Sequence, residues 1–235
     1  MNGVYVHHRL GEDQPLLCRL GLTELLELLE FEQICFAPQA PVWPPSDAPA
    51  EAVGGRLQGA GALRLPAAWL RRLRPAGGGE ARLPARRPHV LGMQRWYLGR
   101  RDSPVLHDTR EPAGERVFVE SSVRSLGQAL LTDAHSCLLL APVSYKASPA
   151  EQSGDLPLPD LFQAPPLRRR ERETRALLLA SGDRAPSDPG QDTLLKLDVR
   201  ALVQRVLVAR GASACFLALV RHLVQRHVWV RVERV

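Results

Sequence analysis

Between positions 64 and 101 the chain carries Arg64, Arg71, Arg72, Arg74, Arg82, Arg86, Arg87, Arg95, Arg100 and Arg101, interleaved with Trp69, Trp96 and Tyr97. Guanidinium groups take phosphates bidentately, and aromatic rings give a base a surface to lie on. A basic stretch broken by aromatics is therefore how a single strand of nucleic acid is held. On this ground Arg71, Arg72, Arg86, Arg87, Trp96, Arg100 and Arg101 are candidate nucleic-acid contacts. A plainer origin competes. Of 31 Lys plus Arg, Lys146 and Lys196 are lysine and the rest arginine, in a chain rich in Ala, Gly, Pro and Leu. GC-biased codon usage gives that composition without any function, and the formal net charge of +6 is well short of a polybasic tail. The run Arg168-Arg169-Arg170-Glu171-Arg172 reads equally as an import patch, a contact for an acidic partner or a charged helix start.

Other chemistry leaves little trace. Neither GxxxxGK[ST] nor GxGxxG occurs, and Gly77-Gly78-Gly79 reads as loop. There is no CxxC, HxxxH or HExxH, and His222 and His227 fall about 140° apart around a helix, so no metal ligands are expected. His7 and His8 point to opposite faces if they lie in a strand. Asp133, His135, Ser136 and Cys137 are neighbours in sequence, as members of a triad seldom are, and Cys137 opens an apolar run. Glu24, Glu27 and Glu30 read as the solvated side of a helix. No catalytic residue, metal or cofactor is expected from these patterns, and the protein reads as no enzyme.

Partner binding has wider support. Leu22, Leu25, Leu26 and Leu29 form a stripe on an acidic helix, and Leu158, Leu161 and Phe162 belong to an apolar LPLPDLF inside a proline-rich connector. Both resemble docking surfaces. The four cysteines, Cys18, Cys35, Cys137 and Cys215, are widely spaced, the pattern of free thiols in a reducing compartment. The N-terminus lacks the charged and apolar segments of a signal peptide, and apolar runs such as 215–220 fall far short of the roughly 20 residues that span a bilayer. The expected location is nucleus or cytoplasm, with no membrane partner.

The elements that must position these residues follow from periodicity and punctuation. Val4 to Val6 make a short strand, and LTELLELLEF a helix with Thr23 as a cap. Residues 38–53 and 75–88 are proline- and glycine-rich loops, separated by a weak strand near 57–65 and a short helix from Pro66. HVLGMQRWYLG, SPVLHDT, RVFVESS and HSCLLLAPVSY read as strands, with VRSLGQALLTDA a helix between the last two. Residues 147–166 form a linker, and RRRERETRALLLASG a further helix.

Near the C-terminus, Leu195, Val199, Leu202, Val203 and Val206 recur at helical spacing behind Asp192 as cap. Gly211 stops that helix, Ser213 caps a second one, and Val228, Val230 and Val232 alternate as a strand. The ending fits either a winged helix or a helix hairpin whose last strand pairs with Val4 to Val6. The fold class is thus α+β: a small, mostly antiparallel β domain over 1–146 with flanking helices, the 147–166 linker, and a helical module over 167–235. The expected function is a non-catalytic adaptor or subunit of an intracellular multiprotein assembly, partnered by other protein subunits. The alternative is a nucleic-acid-associated accessory factor.

Overall fold

The valine-rich runs VFVESS and RVLV are β-branched and favour strands, and the leucine-rich SCLLLAP and ETRALLLA, buried almost throughout, pair beside one another in the same sheet. A computed structural model describes residues 3–38, 71–76, 89–99, 101, 103–107, 115–130, 136–145, 161–180 and 192–235. The strands are β1 (Gly3–His7), β2 (Pro15–Leu20), β3 (Gln33–Phe36), β4 (Leu73–Pro75), β5 (His89–Leu98), β6 (Val117–Ser122), β7 (Ser136–Pro142), β8 (Ser144–Tyr145), β9 (Gln163–Ala164), β10 (Glu173–Ala180), β11 (Thr193–Lys196), β12 (Arg205–Val208) and β13 (Arg231–Arg234). The helices are α1 (Leu22–Phe31), α2 (Val123–Ala129), α3 (Val199–Leu202) and α4 (Ala214–His227), with 3-10 turns at Pro104–His107 and Pro166–Glu171.

Among the described residues a nine-stranded sheet runs β13-β12-β6-β2-β5-β10-β7-β1-β4. Its interior pairs are antiparallel, while β1 with β7 and β12 with β13 are parallel. The α+β class with a mostly antiparallel sheet therefore holds. Strands from both sides of the expected 147–166 connector share this one sheet: β10 lies between β5 and β7, and β12 beside β6.

One face of the sheet carries the main core, where Val4, Val6, Leu16, Cys18, Trp96, Val119, Leu138, Ala176 and Val206 meet α1, α2 and α4. The opposite face holds two smaller apolar clusters. One joins Tyr5, Cys137, Leu139, Leu177 and Leu179 to Leu161 and Phe162. The other joins Leu17, Tyr97, Phe118 and Leu207 to Val105, Leu106 and Val235.

Gly92 lets the β3–β11 ribbon cross close over β5. A Cβ there would sit 2.6 Å from the Phe36 carbonyl oxygen, and Met93 N–H bonds to Ala37 O beside it at 2.9 Å.

Several expectations are corrected here. The stretch after Arg172 is a strand, not a helix, because β10 is hydrogen-bonded on both sides and a strand covered on both faces reads as an unbroken apolar run. SPVLHDT holds a 3-10 turn instead of a strand, and Leu73–Pro75 is a strand where a helix from Pro66 was expected. The C-terminus is neither a winged helix nor a helix hairpin. Asp198 caps the one-turn α3 by accepting from Arg200 and Ala201 N–H, and the β-branched RVLV then leaves the helix to pair with β6 and β13. β13 lies beside β12, with six strands between it and β1. α1 starts at Gly21, not with a Thr23 cap, and the Glu24 carboxylate accepts from Gly21 N–H at 2.6 Å. Ser213 caps α4 as expected, accepting from Phe216 N–H at 3.0 Å.

At the end of β1, His7 is buried, and Arg9 N–H donates to its Nδ1 at 3.3 Å. Burial holds its pKa down at about 4, helped by His8, Arg9 and Arg72. The unfolded chain takes this proton near 6.5, and the fold resists it until about 4. His7 therefore contributes stability that is complete above about 6.5 and is lost as pH falls towards 4, at up to about 1.4 kcal/mol per pH unit. Urea unfolding of the wild type at pH 7, 5.5 and 4.5 should show this fall, and His7→Gln should flatten it.

Candidate anion-binding site

The sheet register sets the site. On β10, Glu173 lies opposite Tyr97, and Arg175 opposite Arg95. Cys18 on β2 is opposite Trp96, so the next residue, Arg19, follows on the same face as Arg95. Strand alternation turns Arg19, Arg95, Tyr97, Glu173 and Arg175 away from the main core, into the gap between the two smaller apolar clusters. Arginines from three adjacent strands, β2, β5 and β10, thus stand in one row.

A buried carboxylate organises the row. Glu173 Oε1 lies 2.8 Å from Arg175 Nε and 3.6 Å from Arg95 Nε. The Glu173 side chain is 0% exposed and that of Arg175 5%, while that of Arg95 is 49% exposed. Arg175 Nη1 also donates to Leu161 O at 2.6 Å, and Glu173 N–H donates to Tyr145 Oη at 2.7 Å. Glu173 Oε2 is buried and makes no hydrogen bond among the described residues. One carboxylate thus faces two guanidinium groups and keeps unused acceptor capacity, and the outer guanidinium is open to solvent.

Burial pushes the Tyr97 phenol up to about 12; Glu173 adds to this, and Arg19 and Arg95 oppose it. Tyr145 is likewise raised to about 12 by burial. Both are protonated at neutral pH, so neither supplies a base there.

The second arginine run borders the same gap. The 3-10 turn Pro166–Glu171 touches the 3-10 turn Pro104–His107, and Glu171 acts on both Tyr97 and Tyr145. Arg168, Arg169, Arg170 and Arg172 are exposed. Arg172 adopts the left-handed conformation at φ 52°, and its carbonyl accepts from Leu98 N–H at 3.0 Å, tying this turn to the end of β5. Arg19, Arg95, Arg168, Arg169, Arg170, Arg172 and Arg175 here accompany Glu171 and Glu173. Such an arrangement suits phosphates: exposed guanidinium groups beside a buried ion pair, at a net positive charge.

The sequence-derived candidates are placed differently. Trp96 is 1% exposed in the main core, on the face away from these arginines, so it offers no base a surface. Arg71 and Arg72 are exposed beside β4, at the far edge of the sheet. Arg101 is exposed and paired with Glu233 at 3.0 Å. Arg86, Arg87 and Arg100 lie outside the described residues. The leucine stripe is intramolecular: Leu25 and Leu29 are buried in the main core, and Leu22 and Leu26 pack against it. Leu161 and Phe162 fill one of the smaller clusters, and Leu158 lies outside the described residues. Among the described residues no three His, Cys, Asp or Glu gather for a metal ion, and no helix is long and apolar enough to cross a membrane.

No family model matches the chain, and no curated protein matches it either. Solved structures of Thermus sp. 2.9 DarT are similar to it. The complex with ADP-ribosylated ssDNA gives a TM-score of 0.45 at 15% identity, covering 96% of each chain. The complexes with NAD+ and with carba-NAD+ give 0.43 and 0.42 at 13% identity, each covering 96% of this chain and 97% of the other. The expected non-catalytic adaptor or assembly subunit, and the reading of no enzyme, are corrected here. The structures found are of a protein in complex with NAD+ and ADP-ribosylated ssDNA, and the stripes expected to dock protein subunits are filled by the chain's own core. A likeness at these scores assigns no residue and no activity to this chain.

Proposed function

We propose that this chain binds single-stranded nucleic acid, with the strand's phosphates on Arg95 and the arginines of the 166–172 turn. The observation that supports this is the half-exposed Arg95 guanidinium held over the buried Glu173–Arg175 pair. The buried pair fixes the floor, and the exposed cations meet the ligand. A duplex groove would require a protruding helix or ribbon, whereas this surface is a half-exposed strand arginine beside the short exposed 166–172 turn, which suits an unpaired strand.

Fluorescence anisotropy with a labelled 12-nucleotide ssDNA tests the reading. Binding at micromolar strength in 50 mM salt is expected, weakening linearly in log–log form as salt rises. No binding at 50 mM salt, or binding indifferent to salt, would overturn it. NAD+ is the second ligand to try, since it and ADP-ribosylated ssDNA are what the DarT structures contain and both carry phosphates that suit guanidinium groups. Calorimetry with NAD+, and NAD+ consumption with and without the oligonucleotide, separate a strand-binding site from one that also turns a dinucleotide over.

A further inference from the structure

We infer that β13 is a docking edge for a second copy of this chain, the two β13 strands pairing antiparallel about a twofold axis at Val232. β13 closes one end of the sheet and pairs, in parallel, with β12 alone. Val235 N–H donates to Val208 O at 3.0 Å, and backbone groups point to alternate sides along a strand. Arg231, Glu233 and Val235 therefore turn their N–H and C=O towards β12. Val230, Val232 and Arg234 turn theirs outward, where no backbone partner meets them among the described residues. The other end of the sheet is guarded: β4 has three residues and ends in Pro75, which has no N–H to give.

The charge pattern selects both the occupant and the register. With Val232 opposite its own copy, the outward groups of Val230, Val232 and Arg234 meet those of the second chain, and Arg231 of each chain falls opposite Glu233 of the other. Centring the pairing on Arg231 or on Glu233 instead sets like charges directly against each other, which disfavours both. Arg231 is exposed and makes no ion pair among the described residues. The ion pairs of Glu233, with Arg101 at 3.0 Å and Arg205 at 3.9 Å, both use Oε2, so Oε1 remains for the second copy's guanidinium. The backbone is already extended at Val228, with φ −139° and ψ 139°, so the pairing can run back to Trp229. Trp229, 94% exposed in the single chain, then falls opposite Val235 of the second copy and is covered there.

Sedimentation equilibrium of the full chain across micromolar concentrations tests this. The wild type should rise with concentration from 26.0 kDa towards twice that mass. Arg231→Glu should weaken association by roughly tenfold or more, since it sets two pairs of like charges opposite each other. Arg221→Glu makes the same charge change at an exposed position of α4 and should leave association unchanged. Register is read by air oxidation in a Cys215→Ser background, which removes the exposed thiol. There Val232→Cys should give a disulfide-linked dimer, because the two copies of this position lie directly opposite each other, whereas Arg234→Cys falls opposite Val230 and should not. If Arg231→Glu failed to fold, the oxidation pair would decide alone. A wild type that stays at 26.0 kDa throughout would overturn the inference. So would an Arg231→Glu loss that is absent or matched by Arg221→Glu, or Arg234→Cys crosslinking as fast as Val232→Cys. None of these results bears on the arginine site, which the oligonucleotide titration tests separately.

Discussion

Replacing Glu173 with alanine should destabilise the protein by about 3–5 kcal/mol, because the guanidinium of Arg175 would stay buried without its counter-charge. Arg175 is 5% exposed, and its remaining partner among the hydrogen bonds described is the Leu161 carbonyl at 2.6 Å. Water cannot readily replace the carboxylate, since Leu161 and Ala141 pack into the apolar cluster beside it. The double variant Glu173→Leu, Arg175→Met should recover most of the loss, because a buried pair replaced by apolar groups of similar size is close to neutral. Urea unfolding at pH 7 reads both. A loss below about 1 kcal/mol for Glu173→Ala would mean that Arg175 finds water and that the pair is not the fixed floor of the site.

The second large effect concerns binding. Changing Arg95, Arg168, Arg169 and Arg170 together to alanine should reduce affinity for single-stranded DNA on the order of 100-fold at 50 mM salt, and lower the salt slope by up to about 0.7 for each phosphate contact removed. The four are exposed or half-exposed, so the fold should tolerate the change. The pair Arg71→Ala, Arg72→Ala removes two exposed cations at the β4 edge and should cost less than threefold. If the β4 pair lowered affinity as much as the quadruple variant, binding would follow overall charge rather than a located site.

How far the sequence showed this site depends on one element. Strands with clear punctuation, such as β1, β5, β6 and β7, and the amphipathic helix α1 could be read directly, since Gly, Pro and Asp bound them and their periods are distinct. β10 could not. Arg168 to Glu171 gave a charged entry, Leu177 to Leu179 an apolar end, and a strand buried on both faces looks like a helix when no alternation remains. Read as a helix, Glu173 and Arg175 fall on different sides; as a strand they share one, and the site exists only in the second case. The signal available was Glu-Thr-Arg itself, two opposite charges spaced by two ahead of a leucine run. Trp96 illustrates the reverse failure. The Arg-rich stretch around it is genuine, but β5 alternates, so Arg95 faces the site while Trp96 faces the core. The same loss of alternation hid β12, where RVLV continued the spacing of a one-turn helix that Asp198 starts and that had already ended at Val203.

Ultraviolet crosslinking of a bromodeoxyuridine-substituted 12-mer, followed by mass spectrometry of the protein's peptides, tests the location of the strand most directly. The account predicts adducts on the peptides that contain Arg95 to Arg101 and Pro165 to Arg175. Adducts confined to α1, to α4 or to the Arg71–Arg74 segment would place the nucleic acid on another surface and contradict it.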